Sequence, residues 1–300
     1  MNLRRRALSL AAVAALSLAL VPTPVLAAAI GACAPDGGGS DILLGRDGVA
    51  RDKDTGQQHK DLPARAKGAA PASLSVSVPV WFHVVTNGAL GNLTSQQINA
   101  QVAVLNNGFG GDEGGDDSGF SFSLAGVTRT DNAVWYASRS GGAEHDMKTT
   151  LKRGDDGTLN VYTTSGGAYL GWAYLPEITD TAQDYLDGIV IDWRTVPGAS
   201  NEYASRFDEG DTLTHEAGHW LNLEHTFYGQ CNKSGDFVDD TPPQKSPSSG
   251  CPEGNDTCPR QAGLDPIHNY MDYSDDDCIT QFTPGQSQRM RDAWLFYRAS

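Results

Sequence analysis

The sequence lacks any apolar run long enough to cross a membrane, and it is poor in positive charge. Its longest apolar run, residues 7–21, falls short of the roughly 20 residues that a spanning helix needs. The chain has 22 lysines and arginines against 37 aspartates and glutamates, giving a formal net charge of −15. A chain this acidic is expected to be repelled by nucleic acid and anionic lipid, so we predict neither as a partner.

Cysteine is also scarce, with five in the whole chain. No pair has the Cys-x-x-Cys spacing typical of a zinc site built from thiolates. Cys33 stands alone, and the other four cluster near the C-terminus: Cys231, Cys251, Cys258 and Cys278. In an exported chain these four predict two disulfides, and counting alone allows three connectivities. A four-thiolate zinc site is the alternative.

The N-terminus has the order of a secretory signal peptide. Three arginines at positions 4–6 precede the apolar run, two prolines break it, and Val25-Leu26-Ala27 offers a small-residue cleavage site. We predict a signal peptide over residues 1–29 and a secreted, extracellular protein. A membrane anchor is the alternative. Residues 30–72 contain a glycine run and scattered charge, which predict a propeptide or linker with little capacity to form a core.

Residues 73–300 have the patterns of one folded domain. Residues 75–85 alternate like a strand, and Thr94 with Gln97 predicts a capped helix start. Further strands are predicted at 120–127, 159–163, 170–174 and 188–192, and helices at 143–151, 211–222 and from Thr283-Pro284 onward. The pattern predicts an α/β part over residues 73–225 and an irregular, disulfide-linked part over residues 226–300.

The most informative segment is a His-Glu-x-x-His pattern. His215 and His219 lie four residues apart, so on a helix they share one face and can grip one metal ion. Glu216 lies beside them, where a carboxylate can take a proton from water activated by the metal.

A third histidine extends the pattern. His225 lies six residues past His219, where it can join the same metal if the helix stops and the chain turns back. Such a turn needs a positive φ, and Asn222 tolerates this conformation better than most residues. Three nitrogen ligands leave one position of a zinc ion open, as catalysis requires, so we predict catalytic zinc.

A second segment, residues 269–273, follows later in the chain. Its Tyr273 could swing over the metal and stabilise the oxyanion of a tetrahedral intermediate, or it could be a plain buried tyrosine. Its Met271 could equally be a core residue.

Three blocks together resemble the pappalysin family of metzincins, in particular its cytophagalysin-like members. These blocks are residues 213–227, 234–242 and 263–273, within a similarity that extends over about residues 78–290. The resemblance implies a metzincin-like twisted mixed sheet with an active-site helix, a zinc ion and peptide substrates. It also implies that Met271 forms a turn beneath the three histidines.

The resemblance implies further features of the C-terminal part. The family pairing of the four cysteines would be Cys231–Cys258 and Cys251–Cys278. Some members bind calcium after the third histidine, where this chain offers the hard oxygens of Asp236, Asp239, Asp240 and Thr241. Asp276 lies where a family aspartate selects a basic residue after the scissile bond, although it could be one more surface acid.

Family members are kept latent by a propeptide cysteine on the zinc, and Cys33 is the candidate here. Ala34 follows it where the family favours glycine. A lipid-modified cysteine and an inert thiol are the alternatives.

The predicted function is a secreted, monomeric zinc endopeptidase with Glu216 as general base. A non-catalytic zinc-bearing binding protein is the main alternative, although no expected ligand or base has been lost. A deacylase with the same three histidines is a second alternative, which the methionine segment disfavours.

Overall fold

The computed structural model describes residues 50–299 except 54, 138–140, 205 and 233–234. The predicted signal peptide and Cys33 lie outside the described residues. Among those described, no helix is both long and apolar enough to cross a membrane.

A six-stranded sheet forms the centre of the fold, in the order β1-β5-β6-β4-β2-β3. The strands are β1 (Ala50–Asp52), β2 (Val76–Thr86), β3 (Phe120–Asp131), β4 (Leu159–Thr164), β5 (Tyr169–Ala173) and β6 (Ile189–Asp192). Strand β5 runs antiparallel to β6, whereas every other pair is parallel. Strands β4 and β6 are buried along their whole length, as expected for central strands covered on both faces.

Within the described ranges, five α-helices accompany the sheet: α1 (Ser95–Gly110), α2 (Ala133–Ala137), α3 (Gly141–Leu151), α4 (Asp211–Trp220) and α5 (Pro284–Ala293). Helix α1 begins with the predicted capping box, in which Thr94 accepts from the Gln97 amide and Gln97 accepts from Thr94. Helix α5 begins with an equivalent box at Thr283 and Gln286, with Pro284 at its first position. These elements confirm the predicted mixed α/β fold.

The main hydrophobic core lies where helices α1 and α4 cover the sheet. Every residue of α4 is buried, and its Leu213, Ala217 and Trp220 join the side chains of the central strands. Tyr270 and Met271 extend the same core into the C-terminal part. Helix α4 is therefore fixed between the sheet and the irregular part of the chain.

The described part of residues 221–283 contains neither a helix nor a strand, and two disulfides hold it together. They join Cys231 to Cys258 and Cys251 to Cys278, which is the pairing that the family resemblance implies. Each bond closes a loop of 27 residues.

The described part of residues 50–72 packs on the domain. Leu62 and Ala66 are buried against Ala293 of helix α5. The backbone amides of Gly68 and Ala70 donate to the carboxylate of Asp292. These residues thus contribute a small buried cluster where the sequence predicts little core, and their assignment as a propeptide or linker stays a prediction. The sequence of this segment alone does not reveal the cluster, because its alanine and leucine side chains are buried by apolar surface that another part of the chain supplies.

Candidate active site

Helix α4 and the turn that follows it bring the three histidines to one place. The helix ends at Trp220, and the backbone of Asn222 has the left-handed conformation, with φ of 74°. The N–H of Leu223 then donates to the carbonyl of Gly218 at 2.9 Å and closes the turn. This reversal directs His225 back toward the helix.

The Nε2 atoms of the three histidines converge. Nε2 of His225 lies 3.3 Å from that of His215 and 3.1 Å from that of His219. Four ligands held about 2.1 Å from one tetrahedral zinc ion would lie roughly 3.4 Å apart. The donor set and its spacing therefore fit a zinc ion.

Backbone carbonyls orient two of the rings through their other nitrogens. Nδ1 of His215 lies 2.5 Å from the carbonyl oxygen of Tyr270, and Nδ1 of His219 lies 2.7 Å from that of Leu223. Since only a protonated nitrogen can donate to a carbonyl, these contacts place the ring proton on Nδ1. The Nε2 lone pairs of both rings are then available to a metal.

Glu216 is 1 % exposed, and neither of its carboxylate oxygens has a hydrogen-bond partner among the described residues. Burial, reinforced by the nearby Asp52 carboxylate, raises its pKa well above the usual range. Its side chain lies against strand β5 at Gly171, where a Cβ would come within 2.8 Å of Oε1. The strand thus leaves just enough room for this carboxylate.

Met271 and Tyr273 both lie near the three histidines. A Cβ on Gly218 of helix α4 would lie 2.4 Å from Sδ of Met271, so the methionine packs directly against the helix backbone. The ring of Tyr273 is buried, with its centroid 5.0 Å from that of His225 and 5.8 Å from that of His215. Both residues of the predicted methionine segment therefore lie at the site.

One residue at the site escaped the sequence analysis. Oδ2 of Asp52, at the end of strand β1, lies 3.2, 3.1 and 2.6 Å from the Nε2 atoms of His215, His219 and His225. Burial alone would raise the pKa of Asp52, but the facing histidines hold it well below the usual range. No sequence signal pointed to this aspartate, because it is one of several acids in a segment without a recognisable motif.

A pocket open to solvent lies beside His215 and Tyr273, and buried carboxylates line it, among them Asp211 and Asp276. Oδ2 of Asp276 accepts a hydrogen bond from the N–H of Glu209 at 2.9 Å, just before helix α4. Burial, with Glu209 nearby, raises the pKa of Asp276 to about 7. The predicted specificity residue is thus a pocket residue rather than a surface acid.

The four predicted calcium ligands do not form a cluster that presents several carboxylates to one point. Asp240 caps helix α5, where its carboxylate accepts from the hydroxyl of Thr283 and the N–H of Gly285. Asp236 is buried, and burial raises its pKa to about 7, whereas Asp239 is exposed at the surface of the same loop. Thr241 is buried beside Asp236. Calcium therefore stays a prediction.

Comparison with known proteins agrees with this geometry. Residues 164–294 match the family model described as peptidase M43, pregnancy-associated plasma protein-A. An extracellular metalloprotease of Pyricularia oryzae is 46 % identical over 246 residues, covering 79 % of this chain and 83 % of that protein. One from Sordaria macrospora is 40 % identical over 292 residues, covering 95 % and 97 %. The chain belongs to the pappalysin family. It is therefore a metalloprotease, as predicted.

Solved structures of pappalysins show the same fold. Mature mirolysin of Tannerella forsythia in complex with a cleaved peptide has a TM-score of 0.65 and 30 % identity, covering 76 % of this chain and 94 % of that one. A promirolysin mutant from the same organism has a TM-score of 0.66 and 29 % identity, covering 77 % and 83 %. The relatives' names bear out the predicted extracellular location.

Proposed function

We propose that this pappalysin is a secreted zinc endopeptidase with Glu216 as its general base. The observation that carries the proposal is the convergence of three imidazole nitrogens next to a buried carboxylate without a hydrogen-bond partner among the described residues. Zinc held by His215, His219 and His225 would supply a Lewis acid that lowers the pKa of water and polarises a peptide carbonyl.

Glu216 is the proton carrier in this scheme. It takes a proton from the attacking water and later delivers it to the leaving amine. Its burial favours the protonated form between these two transfers, because a charged carboxylate is costly in an apolar environment. The hydroxyl of Tyr273 would donate to the oxyanion of the tetrahedral intermediate.

The substrate is proposed to lie extended along the edge of β5 that strand β1 occupies in the uncleaved chain, where it would form backbone hydrogen bonds as an added strand. The side chain after the scissile bond would enter the pocket lined by Asp211 and Asp276. Two buried carboxylates in one pocket favour a lysine or arginine there, because an opposite charge relieves their repulsion. A peptide library tests this preference, and an apolar consensus at that position would contradict it.

The activity is tested with the processed protein, by peptide cleavage with and without a zinc chelator. Glu216→Ala should abolish cleavage while the bound zinc remains, with Glu216→Gln as the matched isosteric variant. Equal activity in these variants would exclude Glu216 as the base. A zinc-loaded, processed protein that cleaves no peptide would instead support a zinc-bearing binding protein.

We also propose the organisation and partners that the sequence predicts. Residues 1–29 would be the signal peptide, residues 30–72 the propeptide or linker, and residues 73–300 the catalytic domain. The net charge of −15 supports a monomer without nucleic-acid or membrane partners, because like charges repel copies of the chain as well as acidic polymers. Sedimentation at several salt concentrations tests the monomer.

A further inference from the structure

Part of the chain's own N-terminal region lies where the substrate is proposed to bind. Strand β1 pairs in parallel with β5, with Ala50 opposite Tyr169 and Asp52 opposite Gly171. The N–H of Lys53 continues the pairing by donating to the carbonyl of Gly171 at 3.3 Å. The edge of β5 next to Glu216 is therefore covered in the uncleaved chain.

Side chains after Asp52 anchor this segment to helix α3, to strand β5 and to the residues that follow β5. The ammonium of Lys53 lies 3.1 Å from the carboxylate of Glu144 and 4.6 Å from the ring centre of Trp172. The amide of Gln57 forms two hydrogen bonds with the backbone of Leu175, at 2.6 and 3.1 Å.

A further contact follows two residues later, where Nδ1 of His59 lies 2.6 Å from the carboxylate of Glu224, next to the ligand His225. These contacts depend on particular side chains, so the segment is docked in one register.

The carboxylate of Asp52 faces the Nε2 atoms of the histidines, and a cation between them would stabilise this arrangement. With the ring protons of His215 and His219 on Nδ1, their Nε2 lone pairs point at a carboxylate oxygen 3.1 to 3.2 Å away. Two acceptors do not attract each other at that distance unless a positive charge lies between them. A proton could bridge the carboxylate oxygen to only one ring nitrogen, whereas one metal ion can bind the oxygen and the Nε2 atoms of all three rings at once.

We propose that Asp52 is the fourth protein ligand of the zinc ion in the uncleaved chain and keeps the enzyme latent. The inference rests on the proposed function, since Asp52 would occupy the fourth coordination position of the zinc ion, which water needs during catalysis. The segment lies along β5 and presents a side-chain carboxylate to the histidines, so it places no peptide carbonyl at the position where the zinc ion would polarise one. Activation then requires cleavage after Asp52, and Lys60, Arg65 and Lys67 are exposed downstream.

This assignment replaces the sequence-based candidate for latency. A tetrahedral zinc ion with three histidines accepts one further protein ligand, so Asp52 and Cys33 are mutually exclusive. The two alternatives differ in chemistry, because a thiolate gives cobalt(II) an intense near-ultraviolet charge-transfer band and a carboxylate does not.

The test uses the uncleaved chain with Glu216→Ala, which prevents self-cleavage, loaded with cobalt(II) in place of zinc. Asp52→Ala and Cys33→Ala are compared in that background. Asp61→Ala is the matched control, because it removes a carboxylate from the same segment that contacts Lys67 and Arg289 instead of the histidines. Measured are metal content, the absorption spectrum and the rate of cobalt transfer to EDTA.

We expect Asp52→Ala to change the visible bands and to speed cobalt transfer by about tenfold or more, since even residues behind the ligands alter metal affinity 10- to 100-fold. Asp61→Ala and Cys33→Ala should match the parent. If Asp52→Ala fails to fold, Asp52→Asn provides the same comparison.

A charge-transfer band that disappears in Cys33→Ala would overturn the assignment, and so would an unchanged spectrum and transfer rate in the Asp52 variants. In both cases the chain still binds one metal ion, so the proposed function stands. A parent chain that binds no metal would instead overturn the proposed function together with this inference.

Discussion

Gly171 allows Glu216 to lie against strand β5, and replacing this glycine with alanine tests the proposed role of the carboxylate. An added Cβ would lie 2.8 Å from Oε1 and 3.0 Å from Cγ of Glu216, and 3.1 Å from the carbonyl oxygen of Val190. The backbone of Gly171 does not have a positive φ, so the cost of the substitution comes from the close contacts of the added methyl group and not from the backbone conformation. We expect the carboxylate to shift by on the order of 1 Å, which costs about 100-fold in turnover.

Stability should fall less than activity in Gly171→Ala. Overpacking of this kind costs about 1–3 kcal/mol of the free energy of unfolding. The zinc content should be unchanged, because the added methyl group meets none of the three histidines. Peptide cleavage by the processed protein, metal analysis and urea unfolding measure these three quantities. Gly142→Ala is the matched control, since a Cβ there meets nothing within 4 Å.

A double-mutant cycle makes the prediction sharper. In the Glu216→Ala background the carboxylate that the new methyl group would meet is absent. Gly171→Ala should therefore lower the free energy of unfolding by about 1 kcal/mol less than it does in the wild type. Only the contact with Val190 would remain. Strictly additive stability changes, or full turnover in the single variant, would refute the geometry proposed for Glu216.

Three further predictions follow from other parts of the structure. Asn222→Ala should lower the free energy of unfolding by about 1–2 kcal/mol, because alanine tolerates a φ of 74° less well; Asn222→Gly should cost less in the same urea titration. Replacing Cys251 and Cys278 by serine should cost about 3 kcal/mol, as expected for a closed loop of 27 residues, measured by thermal unfolding. The preference for arginine over leucine after the scissile bond should grow as pH rises through about 7, because Asp276 then loses its proton and attracts the cation. The ratio of kcat/KM values for two matched peptides isolates this effect, and a ratio that does not vary with pH, or that survives Asp276→Asn, would contradict it.

Local patterns in the sequence predicted most of the elements that position the site. The capping pair Thr94 and Gln97 fixed the start of helix α1, and the alternation of residues 75–85 matched strand β2 within one residue at each end. Asn222 could be singled out because few residues tolerate the conformation that the turn to His225 requires. These features depend on contacts within a few residues, so a single sequence contains them.

The order and direction of the strands could not be predicted in the same way. Strands β1 and β5 run opposite to the other four strands, and this direction depends on which distant segments pair, because the alternation of side chains is the same in both directions. The family resemblance pointed to Asp276, but the presence of Asp211 in the same pocket escaped prediction for a similar reason. Asp211 begins helix α4 and Asp276 follows the methionine segment, and only the packed structure places them on one wall.

Strand β5 links the catalytic and latent states that we propose. Its Gly171 gives Glu216 room on one side, and its outer edge pairs with Asp52 in the uncleaved chain. The same edge is the proposed binding site for substrate backbone, so the N-terminal segment and a substrate compete for one set of hydrogen bonds. The three histidines lie within eleven residues and could be found by their spacing, whereas Asp52 lies 163 residues before His215. Because no motif connects such distant positions, the residue proposed to control the site emerges only from the convergence of four buried side chains.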